Sequence, residues 1–186
     1  MKSLLKTALV ILVIYVQIKA QDTKVISLQT DSTTHNAQYK SKRISTPEDI
    51  ATIKKVLEDF MLAISNKNGK QLSTLVLHSR ILFTSPGDQA RVDNVREFDV
   101  NFDGIGIGGF LQFSKYISTT AESIKEKFYN VEITQDGHLA WVTFDYEFYS
   151  NDKLSNFGIE HWQLRKIDTK WKIYSVIWTQ YETVNK

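Results

Sequence analysis

The chain has 186 residues, with 23 Lys and Arg against 21 Asp and Glu, 42% hydrophobic residues and no cysteine. A near-neutral surface without a Lys/Arg block argues against binding of nucleic acid or of an anionic membrane, and the missing cysteine excludes a disulfide framework and a thiol nucleophile. The length suits one ordinary domain that holds itself together by its core.

In chain order, the opening MKSLLKTALVILVIYVQIKAQ places Lys2 and Lys6 ahead of an apolar run from Ala8 to Ile18, with Ala20 behind it. Charge, apolar run and small residue in that order read as a secretory signal peptide over residues 1–20, cleaved after Ala20. The run is shorter than the roughly 20 residues a membrane-spanning helix requires. The expected location is therefore secreted or periplasmic, with no membrane association after cleavage. Removal of Lys2, Lys6 and Lys19 takes the formal charge from +2 to −1. Residues 21–45, rich in Ser, Thr, Gln and Lys, read as a flexible tether.

Residues 46–186 form the expected folded domain. Thr46 suits an N-cap, Pro47 the first helical position, and Glu48 with Asp49 the positive end of the helix dipole. Ile50, Ile53, Leu57, Phe60, Met61 and Ile64 then recur on one helical face up to a stop at Gly69. A shorter helix is expected in KQLSTLVLHS, and a strand around ILFTS before Pro86-Gly87. Four glycines between residues 104 and 109 predict a loop, FLQFSKYI a helix, and KFYNVEI the start of a strand. Turns at Gln135-Asp136-Gly137, NDKLSN and IDTK separate strands over 139–150, 157–166 and 171–180, an antiparallel meander.

Helices first and a long, half-polar sheet last predict an α+β fold in which a curved antiparallel sheet wraps around N-terminal helices. The segments GHLAWVTFDYEFYS and FGIEHWQLRKIDTKWKIYSVIWTQ, behind the helix EDIATIKKVLEDFMLAI, resemble the nuclear transport factor 2-like superfamily, in particular its SnoaL-like (polyketide-cyclase-like) branch. The resemblance spans about residues 46 to 181 and rests on the Ala140-x-Val142 strand and the Trp171-Lys-Ile of the last strand. It implies a cone-shaped fold with an apolar pocket and a homodimer through the outer sheet face. Ketosteroid isomerase, a member of the superfamily, keeps one carboxylic acid protonated to donate a hydrogen bond. Its first-helix tyrosine has no counterpart between Ile50 and Ile64, so that mechanism is not carried over.

Strand alternation places Ala140, Val142, Phe144, Tyr146 and Phe148 on the inner face, and Trp141, Asp145 and Glu147 outside within reach of His161 and Arg165. In the next strand Glu160 falls on the apolar face with Trp162 and Leu164. A carboxylate on an apolar wall has its pKa raised unless a partner compensates, and such groups serve as general acids or bases. Glu160, with Tyr146 and His78 assisting, is therefore the candidate catalytic set, and Phe60, Met61, Ile64, Phe144, Trp162 and Trp178 are the candidate ligand pocket. In the last strand Trp171, Ile173 and Ile177 alternate with Tyr174, Val176 and Trp178, so both faces are apolar and alternation does not choose between them. Trp141, Phe157 and Ile159 on the outer face are what a second subunit would cover.

Asp99, Asn101, Asp103 and Gly104 match the first half of a calcium loop, but Phe110 stands where the bidentate Glu belongs. No cofactor or structural metal is expected. Two functions stay open: an exported domain binding a small apolar ligand, or a cofactor-free isomerase, dehydratase, cyclase or hydrolase with Glu160 as acid or base.

Overall fold

The computed structural model describes residues 46–105 and 108–183, so the signal peptide and tether expected over residues 1–45 lie outside the described residues. Four helices are described: α1 (Pro47–Ser65), α2 (Gly69–Leu75), α3 (Gln89–Arg96) and α4 (Phe110–Thr119). The strands are β1 (Leu82–Thr84), β2 (Ile124–Gln135), β3 (Leu139–Ser150), β4 (Lys153–Ile167), β5 (Lys170–Trp178) and β6 (Tyr181–Glu182). They form one sheet in the order β1-β5-β4-β3-β2, with β6 paired to the first half of β4. The α+β class and the β3-to-β5 meander are as expected, and β2 extends the meander by one strand. One pairing departs from an all-antiparallel sheet: β1 runs parallel to β5. The chain returns to β1's edge only after the other helices and three long strands, so no hairpin dictates their relative direction.

Tight turns set the length of the meander. Asn151-Asp152 and Asp168-Thr169 all have positive φ, the backbone of a two-residue hairpin whose twist matches the strands. β4 therefore begins at Lys153, four residues before the expected Phe157, and pairs with β3 from Lys153 to Arg165. Helix α3 was not expected from the apolar pattern, which contributes only Val92 as a buried residue. Its start is fixed by Asp88, whose carboxylate accepts from the Arg91 N–H at 2.8 Å.

Three register shifts interrupt the meander, and the one between β4 and β5 decides which side chains of β5 face the core. Between β4 and β5 the register slips from Gln163↔Ser175 to Leu164↔Ile173, leaving Tyr174 as the extra, exposed residue. The inward phase changes there, so Trp171 and Ile173 on one side and Val176 on the other are all buried. That is the physical reason both faces of this strand are apolar in sequence. A second slip between Tyr129 and Glu132 bends β2, with Asn130 at positive φ.

Helix α1 lies against the inner face of the sheet. Its buried stripe is Ile53, Val56, Leu57, Phe60, Ala63 and Ile64, whereas Ile50 and Met61 sit at its half-buried margins. Phe60 meets Trp162 edge-on at 4.7 Å between ring centroids, and Phe128 meets Phe144 at 4.2 Å. Asp49 fastens the helix N-terminus to the far end of the sheet, accepting from Lys166 Nζ at 2.7 Å and from Trp171 Nε1 at 3.0 Å.

Candidate functional site: a carboxyl pair in an aromatic cavity

The helix-covered face of the sheet and helices α1 and α4 enclose a cavity of about 240 Å³. Phe60, Phe83, Phe113, Tyr116 and Trp178 give it aromatic walls, and Glu126, Glu160, Tyr146, Asn156 and Gln180 give it a polar end. The rings are close-packed, with Phe83 4.9 Å from both Phe113 and Trp178. The volume falls below the roughly 300–1,000 Å³ of drug-sized ligand sites, so a ring-sized occupant is the right scale.

Glu160 lies where alternation predicts it, on β4 opposite Phe144 and Trp178, and is 6% exposed. It accepts a short hydrogen bond from the indole Nε1 of buried Trp162. Its neighbour in the cavity is Glu126 on β2, opposite Phe148 and 7% exposed. The two carboxyls are hydrogen-bonded to one another. Among the described residues neither has an ion pair with a Lys or Arg.

The electrostatics follow from that arrangement. Burial raises Glu126 well above the usual carboxylate range, and the adjacent Glu160 charge and their hydrogen bond push it further. Burial also raises Glu160, while the Trp162 and Glu126 hydrogen bonds pull it back, leaving it at about 7. Two carboxyls in contact without a cation share a proton, because ionising both places like charges side by side in a dry site. Near neutral pH Glu126 is the acid of the pair and Glu160 the group closest to ionising.

Tyr146 also lines the cavity, but its hydroxyl lies 3.0 Å from both Asn156 Oδ1 and the Thr179 carbonyl, and burial raises its pKa. It braces the chain after β5 and makes no hydrogen bond to Glu160. Gly158 stands directly opposite Tyr146, and a Cβ there would collide with the Thr179 carbonyl. The glycine is what lets residues 179–180 cross β4 and bring Gln180 to the cavity.

The expected site is thus corrected in several places. His78 is exposed, accepts from the Arg80 N–H at 3.0 Å, and belongs to a separate depression with Gln163 and Tyr174, because the chain leaves α2 on the other side of the sheet edge. Phe60 and Trp178 line the cavity as expected, but Ile64 and Phe144 are interior core and Met61 is marginal to it. Trp162 is fully buried and serves as the donor to Glu160. Glu126 was missed because the sequence reading began that strand at Lys127. Extending the alternation back from Phe128 through Glu126 to Ile124 is the signal that finds it.

Outside, Asp145 and Glu147 do not pair with His161 or Arg165. The register sets Asp145 opposite Tyr129 and Ile159, so it accepts from Asn130 Nδ2 at 2.6 Å, while Glu147 accepts from the Tyr129 and Tyr149 hydroxyls at 2.8 and 2.7 Å. His161 instead meets the Thr143 hydroxyl at 3.0 Å. Asp99 and Asp103 cap their own turns, accepting from the N–H of Asn101 and of Ile105, and no group of three or more His, Asp or Glu gathers among the described residues.

No family model matches the chain, and no curated protein matches it. Solved structures do. A protein of unknown function with a cystatin-like fold from Nostoc punctiforme matches with a TM-score of 0.55 at 14% identity, covering 75% of this chain and 96% of its own. An NTF2-like protein from Cytophaga hutchinsonii matches at 0.53 and 15%, covering 74% of this chain and 100% of its own. A proposed scytalone dehydratase from Novosphingobium aromaticivorans matches at 0.54 and 13%, covering 75% and 88%. The fold is that of the nuclear transport factor 2-like α+β proteins, helices packed against one face of an open mixed sheet.

Proposed function

We propose that the domain takes a small, neutral, largely apolar molecule into its aromatic cavity and acts on it by proton transfer without a cofactor, as in an isomerisation or an elimination. The observation that carries this reading is the buried Glu126–Glu160 pair lining the cavity, with no Lys or Arg paired to either among the described residues. Glu160 removes a proton from substrate carbon. Protonated Glu126 delivers one to the oxygen that develops charge or departs, and the hydrogen bond between the two returns the proton to Glu126. A positioned acid or base of this kind contributes roughly 10²- to 10⁴-fold to a rate. Similarity to a proposed dehydratase supports the elimination arm.

The test uses 5-nitrobenzisoxazole, a neutral ring compound whose ring opens when a base takes one carbon-bound proton. The wild-type chain is expected to open it at a rate that rises as pH passes about 7, the value at which Glu160 ionises. Glu160→Gln should abolish at least about 100-fold of that rate. A wild-type rate no greater than that of free acetate would leave the cavity as a binding site alone.

We also propose export, on the charge, apolar run and Ala20 of residues 1–20, and a homodimer through the outer sheet face. Trp141, Phe157 and Ile159 there are 38%, 41% and 50% exposed, and Tyr181 stacks on Phe157 to widen the patch. Sedimentation of the chain lacking residues 1–20 tests the dimer, and the N-terminal sequence of exported protein tests the cut.

A further inference from the structure

Trp162 and Trp171 are both buried, each donates its indole N–H to a buried carboxyl, and the two carboxyls differ in what else they hold. Trp171 Nε1 donates to Asp49, which also accepts from the Lys166 ammonium. Trp162 Nε1 donates to Glu160, whose other hydrogen-bonded neighbour is the Glu126 carboxyl. A cation beside a carboxylate stabilises its charge so far that little basicity is left. An indole N–H supplies a dipole without a net charge, so it favours the ionised form and leaves a base that still takes a proton.

The packing holds that dipole still. Trp162 lies two residues from Glu160 on the same face of β4. Its ring is fully buried and meets Phe60, Phe128 and Phe144 edge-on, at 4.7, 5.6 and 5.2 Å between centroids. The donation goes to Glu160, so of two carboxyls bonded to one another Glu160 is the one with a further donor. With one proton between them, the charge settles on Glu160 and the proton on Glu126. The other groups facing the cavity leave that asymmetry in place. β3 presents Tyr146, whose hydroxyl serves Asn156 and the Thr179 carbonyl and is held neutral by burial. α4 presents the Tyr116 phenol, and α1 and β5 present only the rings of Phe60 and Trp178. Among the described residues no Lys, Arg or His lines the cavity.

We propose that Trp162 is a positioning residue for the proton transfer: its indole N–H makes Glu160, and not Glu126, the ionised partner and fixes that carboxylate as the base. The inference rests on the acid–base reading of the cavity. Trp162 acts through Glu160 and does the work of a counter-ion without the loss of basicity that Lys166 imposes on Asp49.

Two measurements test it. In the first, the indole N–H signals of the chain are followed by NMR as pH is raised, with Trp162 assigned by its through-space contacts to the Phe60, Phe128 and Phe144 rings. The Trp162 proton is expected to move downfield with a midpoint of about 7, as the carboxylate it donates to forms. Trp171, whose partner Asp49 is already ionised, should stay still. The Trp162 movement should vanish in Glu160→Gln and remain in Glu126→Gln. A Trp162 signal that does not titrate, or that titrates in Glu160→Gln, overturns the inference. In the second, Trp162→Phe keeps a ring among the three phenylalanines and removes the N–H. Its midpoint for opening 5-nitrobenzisoxazole should rise by about one to two pH units, with most of the high-pH rate retained. A merely structural role would lower the rate and leave the midpoint at about 7, and that result also overturns the inference. If Trp162→Phe does not fold, the indole titration decides alone, since it requires no turnover. A chain whose Trp162 signal follows Glu160 yet does not open 5-nitrobenzisoxazole keeps the control of ionisation and loses the acid–base reading. A chain that opens it with a silent Trp162 signal does the reverse.

Discussion

Two buried carboxyl sites lie at opposite ends of the same helix-and-sheet sandwich, and they have opposite electrostatics. Asp49, 4% exposed, collects donors: Lys166, Trp171 and the Thr46 hydroxyl all reach it, and the Lys166 hydrogen bond is the largest influence holding its carboxyl below the usual range. Glu126 and Glu160, about equally buried, have between them the Trp162 indole and one another, and both are raised. Burial pushes all three carboxyls up, but it is the largest influence only at Glu126 and Glu160, whereas at Asp49 the cationic and N–H donors outweigh it. An acid surrounded by donors is a fastening, and an acid that keeps its proton in an aromatic cavity is the group the proposed proton transfer would draw on.

The sharpest way to break that contrast is to remove the fastening. Asp49→Ala strands the Trp171 indole N–H and the Lys166 ammonium, and should cost about 3 kcal/mol of unfolding free energy by urea titration, from the loss of charged hydrogen bonds and a stranded buried donor. Asp49→Asn, which still offers an oxygen to Trp171, should cost clearly less. Next in size is Gly158→Ala. The added methyl drives the Thr179 carbonyl away from β4, and overpacking of this kind costs about 1–3 kcal/mol. It should also release Gln180 from the cavity and slow benzisoxazole opening, whereas Asp49→Asn should leave that opening unchanged.

At the cavity end the sign reverses. Glu126→Gln removes a buried acid that resists ionisation and leaves an isosteric amide beside Glu160, so stability at pH 8 should rise by about 1 kcal/mol. Thermal melts across pH carry the same contrast. The folded-state pKa values of Glu126 and Glu160 are raised, so their contribution is full below the ordinary glutamate range and is lost as pH climbs, that of Glu160 through about 7. The folded-state pKa of Asp49 is lowered, so its contribution is full above the ordinary aspartate range and is lost as pH falls through its depressed value. The melting temperature should therefore be highest near about pH 4 to 5 and decline by several degrees toward pH 8. Glu126→Gln should flatten the alkaline side alone, and a wild-type melt that improves toward pH 8 would contradict the raised pair. The smallest effect is expected at His78→Ala, within about 0.5 kcal/mol in stability and without change in benzisoxazole opening, since the side chain is exposed and away from the cavity.

Helix α1, the meander from β3 to β5, the inward orientation of Glu160 and the apolar outer patch at Trp141, Phe157 and Ile159 follow from periodicity, capping residues and turn chemistry. Those are local properties that a chain carries in any few neighbouring residues. The parallel pairing of β1, the phase change at Tyr174, the meeting of Glu126 with Glu160 and the anchoring of Asp49 by Lys166 across 117 residues of sequence are different in kind. Each depends on register between segments far apart in the chain, and a one-residue slip moves a side chain to the opposite face. The sequence by itself determined that one carboxylate would face an apolar wall. Only the tertiary structure decided that a second would meet it there without a cation, which is what turns a buried acid into a proton-sharing pair.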